Sequence, residues 1–142
     1  MRLFKVFSHG RIYNDDLYTR LKELDQHTVF PGCNDEFQKN RDWWVQLNEE
    51  QKIIAYCGCL YNQGICIFIR AWVDRSARGK GLQKKMIKAR IKSAKQTCKT
   101  VITYTTADNI HSINNLIKTG FILYEPVYKY SGPNVLYWTQ KI

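Results

Sequence analysis

The residues with the strongest chemical signature are Val73-Asp74-Arg75-Ser76-Ala77-Arg78-Gly79-Lys80-Gly81, set between a strand-like run and a helix-like one. Glycines at 79 and 81 let main-chain N–H groups approach an anion closely. The first turn of the following helix offers unpaired donors, and its dipole adds positive potential. A diphosphate is the natural guest of such a loop. The spacing is neither the Gly-x-x-x-x-Gly-Lys-Ser/Thr of a P-loop nor the three-glycine dinucleotide fingerprint. Charge points the same way. Residues 75–99 hold ten of the 22 Lys and Arg and no Asp or Glu, while the rest of the chain carries twelve of each sign. The whole formal charge of +10 therefore sits in one segment. A localised positive field implies a polyanionic ligand: a phosphate-rich cofactor, a nucleic acid or an acidic protein.

A second constellation begins 26 residues after Gln83 and runs Asn109-Ile110-His111-Ser112-Ile113-Asn114-Asn115-Leu116-Ile117-Lys118-Thr119-Gly120-Phe121. Taken in order, the two segments resemble the paired motifs of the GNAT superfamily of N-acetyltransferases. The first motif is Val followed five residues later by Gln/Arg-x-x-Gly-x-Gly/Ala, matched by Val73, Arg78 and Gly81. The second is Asn-x-x-Ala-x-x-x-Tyr-x-x-x-Gly-Phe, matched by Asn109, Ser112 in place of Ala, Gly120 and Phe121. The resemblance covers roughly residues 44–140. It implies a mixed α/β fold, a largely antiparallel twisted sheet with one splayed parallel strand pair. It also implies acetyl-CoA as cosubstrate and transfer of the acetyl group to an amine by direct attack. Main-chain bonds of Ala71, Trp72 and Val73 would align the pantetheine arm. Arg78, Gly79, Lys80, Gly81, Leu82, Gln83 and Lys84 would hold the diphosphate, and Asn109 would contact the CoA chain.

The catalytic residues of the resemblance are not all present. Gln83 stands where a small residue is expected, and Leu116 where a tyrosine would protonate the departing thiolate. Ile67 and Tyr104 occupy two places where relatives carry an acidic residue. The remaining candidates are Tyr104, His111, Tyr124 and Glu125, with Tyr104 first on position and His111 first on its side-chain pKa. Arg70, in an otherwise apolar strand, needs a partner if buried: Asp74 or a similar acid, unless it faces the acceptor cleft. The loss of the tyrosine also admits a catalytically silent GNAT-fold module that binds acyl-CoA or a macromolecular partner.

These residues must be positioned by regular elements. Alternation in Met1–Phe7 predicts a strand, and Asn14 caps a helix opened by Asp15 and Asp16, with Leu17, Leu21 and Leu24 on one face. Pro31-Gly32 breaks the chain, and 34–43 reads as a second short helix. Strands are expected over 44–47, 53–61 and 65–73, the last a nearly continuous apolar run that suits a central position. Leu82, Met86 and Ala89, with Ile87, Ile91 and Ala94, make the apolar stripe of a helix whose other face carries Lys84, Lys85, Lys88, Lys92 and Lys95. A strand at 100–105 follows, so the two strands flanking this helix lie parallel and close together. The next helix spans 110–119, with Ile110, Ile113, Leu116 and Ile117 inward and Gly120 as its stop. Strands at 121–130 and 135–140 close the sheet as a hairpin.

With 142 residues the chain is the size of one domain, 1–142. Its 44% apolar content excludes a disordered chain, and no apolar run is long enough to span a bilayer. The N-terminal residues lack the apolar core and cleavage site of a secretory leader, so a cytoplasmic location is expected. The five cysteines show no repeated Cys-x-x-Cys spacing for a metal, and Cys57 and Cys59 read as small core fillers on one strand face. The expected partners are an amine-bearing acceptor and, at the basic helix, a nucleic acid or acidic partner, with no membrane.

Overall fold

The computed structural model describes residues 2–26 and 40–142. The elements in chain order are β1 (Leu3–Ser8), β2 (Arg11–Ile12), α1 (Asp15–Gln26), β3 (Arg41–Leu47), β4 (Ile53–Asn62) and β5 (Ile65–Val73). A 3₁₀ turn (Arg75–Ala77), α2 (Leu82–Ala94), β6 (Thr100–Thr106), α3 (Ile110–Lys118), β7 (Ile122–Leu123) and β8 (Val135–Lys141) follow. The strands form one sheet in the order β2-β1-β3-β4-β5-β6-β8-β7. Every neighbouring pair is antiparallel except β5 and β6, which α2 joins as a crossover helix.

Both faces of the sheet are covered. Leu17 and Leu21 of α1 pack on Val6, Trp43, Val45 and Tyr56, while Leu82, Met86 and Ile87 of α2 and Leu116 of α3 pack on Cys57, Cys59, Phe68, Val101 and Trp138. Trp43 and Trp44 are both buried, one in each core, as alternation along a strand requires. The close approach of Trp43 needs a glycine opposite it: a Cβ on Gly58 would stand 2.8 Å from the Trp43 ring. Cys57 and Cys59 fill the same core, as expected, and the described thiols, with Cys66 and Cys98, are free.

The structure corrects several sequence expectations. Residues 41–43 belong to β3, not to a helix, because Arg41, Asp42 and Trp43 pair with Leu60, Cys59 and Gly58; residues 34–39 of that expected helix lie outside the described residues. The closing hairpin is shorter than its apolar content suggests, for β7 holds only Ile122 and Leu123. Pro126 and Pro133 lack the N–H groups a longer ladder would use, and Tyr137 Oη instead ties the connecting loop at Ser131 N and Gly132 O. Ile110 and Ile117 of α3 are 57% and 55% exposed, so only the line through Ile113 and Leu116 faces inward.

One irregularity positions the site. Gly58 and Cys59 are consecutive on β4, yet they face Arg70 and Phe68, so Ile69 is an extra residue bulged into β5. Phe68 points into the α2–α3 core, whereas beyond the bulge Arg70 and Trp72 turn toward α1.

Candidate functional site

β5 and β6 pair only at Ile65–Thr100, Cys66–Val101 and Ile67–Ile102. β5 then continues to Val73 and β6 to Thr106, each still paired on its outer side, with β4 and β8. The strands separate where the bulge lies, and a wedge opens between them. It holds a cavity of about 200 Å³ lined by Phe68–Ala71 of β5, Thr103–Thr106 of β6, Gln83, Ile87 and Arg90 of α2, and Asn109, Ser112 and Leu116 of α3. Among the described residues, no strand lies beside the inner edge of β5 over 68–73. That edge is a rail of main-chain donors and acceptors on which an extended ligand could bond as a missing strand does.

The α2 N-terminus stands after the end of that rail. Gly79 and Gly81 adopt φ of 79° and 78°, the left-handed region where only glycine rests without strain. The first bond of the helix runs from Lys85 N to Gly81 O, so the N–H groups of Leu82, Gln83 and Lys84 have no intrahelical acceptor. The other described helix starts are capped: Asn14 Oδ1 accepts from Leu17 N, Asp74 from Ser76 N, and Asn109 Oδ1 from Ser112 N. At α2 no side chain takes this role. Free donors, the positive dipole end and a surrounding segment free of acids make it fit a diphosphate.

The predicted cofactor residues thus come together in two groups, Ala71–Val73 on the rail and Arg78–Lys84 around the helix start, with Asn109 on the far wall. Arg78 Nε donates to Val73 O at 3.2 Å and ties the loop to the strand end. Gln83, at the position of the expected small residue, turns its side chain away from the loop: its Nε2 donates to Ser112 Oγ at 2.7 Å and its Oε1 accepts from Asn115 Nδ2 at 2.6 Å. The departure therefore bridges α2 to α3 and leaves the helix start open.

Of the catalytic candidates, Tyr104 lines the wedge, is 39% exposed, and meets the Tyr130 ring edge to face at 6.1 Å. Burial pushes the Tyr130 hydroxyl above the ordinary tyrosine value. His111 lies on the exposed side of α3 and is not among the residues lining the wedge. Glu125 is an exposed partner of Lys129 at 2.9 Å. Tyr124 packs on Tyr137, and burial raises its hydroxyl pKa. Leu116 is buried where a proton donor was sought.

Two residues were missed by sequence reasoning. Arg70 pairs not with Asp74 but with Asp25 of α1, Nε to Oδ1 at 3.2 Å, and Tyr56 Oη donates to the same Asp25 oxygen at 2.7 Å. Asp25 carried no signal because it sits in the last turn of an amphipathic helix, where an acid ordinarily meets water. Arg90, hidden among the lysines of α2, is 2% exposed and reaches under the bulge. At the other end of α2, Lys88, Lys92 and Lys95 gather with Lys118 around a separate basic cleft.

The acetyltransferase (GNAT) family model matches residues 9–121. No curated protein sequence matches the chain. Among solved structures, a GNAT-family acetyltransferase from Staphylococcus aureus superposes with a TM-score of 0.74 at 15% identity, covering 99% of this chain and 98% of that one. Escherichia coli ElaA gives 0.72 at 16%, covering 98% of each chain. A Bacillus subtilis acetyltransferase in complex with CoA gives 0.66 at 16%, covering 99% and 98%. At these identities the likenesses establish the fold, and they lend no support to a nucleic-acid partner.

Proposed function

The chain belongs to the acetyltransferase (GNAT) family, and on that premise we propose that it transfers the acetyl group of acetyl-CoA to an amine acceptor by direct attack. The observation that carries the reading is the meeting of two unsatisfied backbone sites, the unpaired inner edge of β5 and the uncapped start of α2. An extended arm ending in a diphosphate satisfies both at once. The pantetheine arm bonds along Ala71–Val73, the diphosphate rests on Arg78–Lys84, and Asn109 borders the arm from α3.

Chemistry in the wedge needs an amine lone pair, a polarised carbonyl and a leaving thiolate. Holding amine and thioester together supplies much of the rate. Tyr104, the candidate among the residues lining the cavity, takes the position of base or proton relay, directly or through water. His111 would reach the acceptor only from the rim. The competing reading, a module that binds CoA without turnover, is favoured by one observation: Leu116 cannot donate a proton. Incubation with acetyl-CoA and a broad amine panel separates the two. Thiol release above background supports the enzyme, and CoA binding with no release supports the silent module.

A further inference from the structure

The wedge is bordered by two buried arginines whose surroundings differ. Arg70 faces α1, where Asp25 neutralises it. Arg90, on α2, points at the bulge between β4 and β5 and has no carboxylate within ion-pair distance among the described residues. Its Nε donates to Met86 O at 3.2 Å, and its Nη1 donates to Gly58 O at 3.3 Å and Arg70 O at 3.1 Å. Its guanidinium carbon stands 3.8 Å from the centre of the Phe68 ring. Carbonyls and a ring face lower the cost of burying a cation but leave its charge in place. Nη2 makes no hydrogen bond to a described residue, and Arg90 lines the cavity. Arg90 is eight residues into α2, about 12 Å along the axis from the helix start. α2 runs back beside β5, so the charge lies at the depth of the bulge, well inside the wedge.

We propose that Arg90 is the electrostatic stabiliser of the departing thiolate, a fixed charge doing what a proton donor at position 116 would otherwise do. This rests on the acetyl-CoA reading above. The amine lone pair forms the C–N bond as the carbonyl π pair moves to oxygen. On collapse the C–S bond breaks, and its electron pair leaves on sulfur. The surplus proton of the nitrogen passes to base or water, and the thiolate gains a proton from solvent later. Without a donor, the negative charge on sulfur must be held by something else. A buried cation free of any counter-ion is worth most in such a dry site.

The test is the titration of the thiol of bound CoA, followed by thiolate absorbance in the ultraviolet, for wild type, Arg90→Met and Arg90→Lys. In wild type the bound thiol titrates about one pH unit below free CoA. Arg90→Met returns it to the free value or above, and Arg90→Lys retains part of the effect. In turnover, Arg90→Met loses about tenfold or more in kcat, with the KM for acetyl-CoA within about threefold. A bound thiol that titrates like free CoA in wild type overturns the proposal, whatever the variants do. Equal titration in wild type and Arg90→Met with lowered thermal stability also overturns it, and makes Arg90 a cap for the bulge carbonyls. Absence of any CoA binding by wild type would instead remove the acetyl-CoA reading itself.

Discussion

The two edges of β5 are built from one strand and have opposite fates. Toward β4, register pairs run from Ile65–Asn62 to Val73–Ala55. Toward β6 they stop after Ile67. The closed edge faces a half of the molecule in which Arg70 is paired with Asp25, Asp25 also accepts from Tyr56, and the Trp43 ring occupies the space a side chain at Gly58 would take. On the open side, matching is left incomplete at the rail, at the start of α2 and around Arg90. A fold gains stability where backbone groups are paired and gains a ligand site where they are not. The bulge at Ile69 is where one regime gives way to the other.

Substitutions in the closed half should therefore change stability and spare CoA affinity, and those in the open half should do the reverse. The largest effect is expected from Asp25→Ala, which leaves the Arg70 guanidinium buried without its acid and costs about 3–5 kcal/mol of folding free energy in a denaturant titration. An unchanged midpoint would show that the pair is not needed to close this face. Gly81→Asp places a side chain at a positive φ and a negative charge against the expected diphosphate. CoA affinity by calorimetry should fall by about a hundredfold or more, while folding stability drops only by the backbone strain at that φ, about 1 kcal/mol. Tyr104→Phe should lower kcat about a hundredfold while CoA affinity persists, and wild-type turnover would pass the role to His111, Glu125 or water.

Gly58→Ala forces a methyl group against the Trp43 ring, and overpacking of this kind costs about 1–3 kcal/mol, read as a lower midpoint with CoA affinity intact. The smallest effect is expected at the far end of α2. Lys92→Glu with Lys95→Glu cancels the positive charge that Lys88, Lys92, Lys95 and Lys118 give the separate basic cleft and should leave CoA affinity within about twofold. A larger loss would mean that the cofactor extends to that cleft.

The sequence made the open half legible because its devices are local: a strand, a glycine loop, a basic helix and a capped one, each with its own composition. The closed half depends on distant pairings that leave little local trace. Asp25 and Arg70 are far apart in the chain, and Arg41–Trp43 become strand only through partners on β4. Arg90 was obscured for a related reason. Within a run of lysines it looks like one more surface cation, and only the bulge, which exposes the Arg70 carbonyl to it, gives it a place inside. The closing hairpin is shorter than its sequence pattern suggests because Pro126 and Pro133 interrupt its ladder.

The central claim is that the open edge of β5 is completed by the arm of acetyl-CoA. Amide hydrogen exchange at short times, with and without acetyl-CoA, tests it most directly, since local opening dominates there. The account predicts slowed exchange over 69–73 and at 79–84, with β3 and β4 unchanged. Exchange over 69–73 that is indifferent to saturating acetyl-CoA would contradict it, as would protection confined to the basic cleft at Lys92, Lys95 and Lys118.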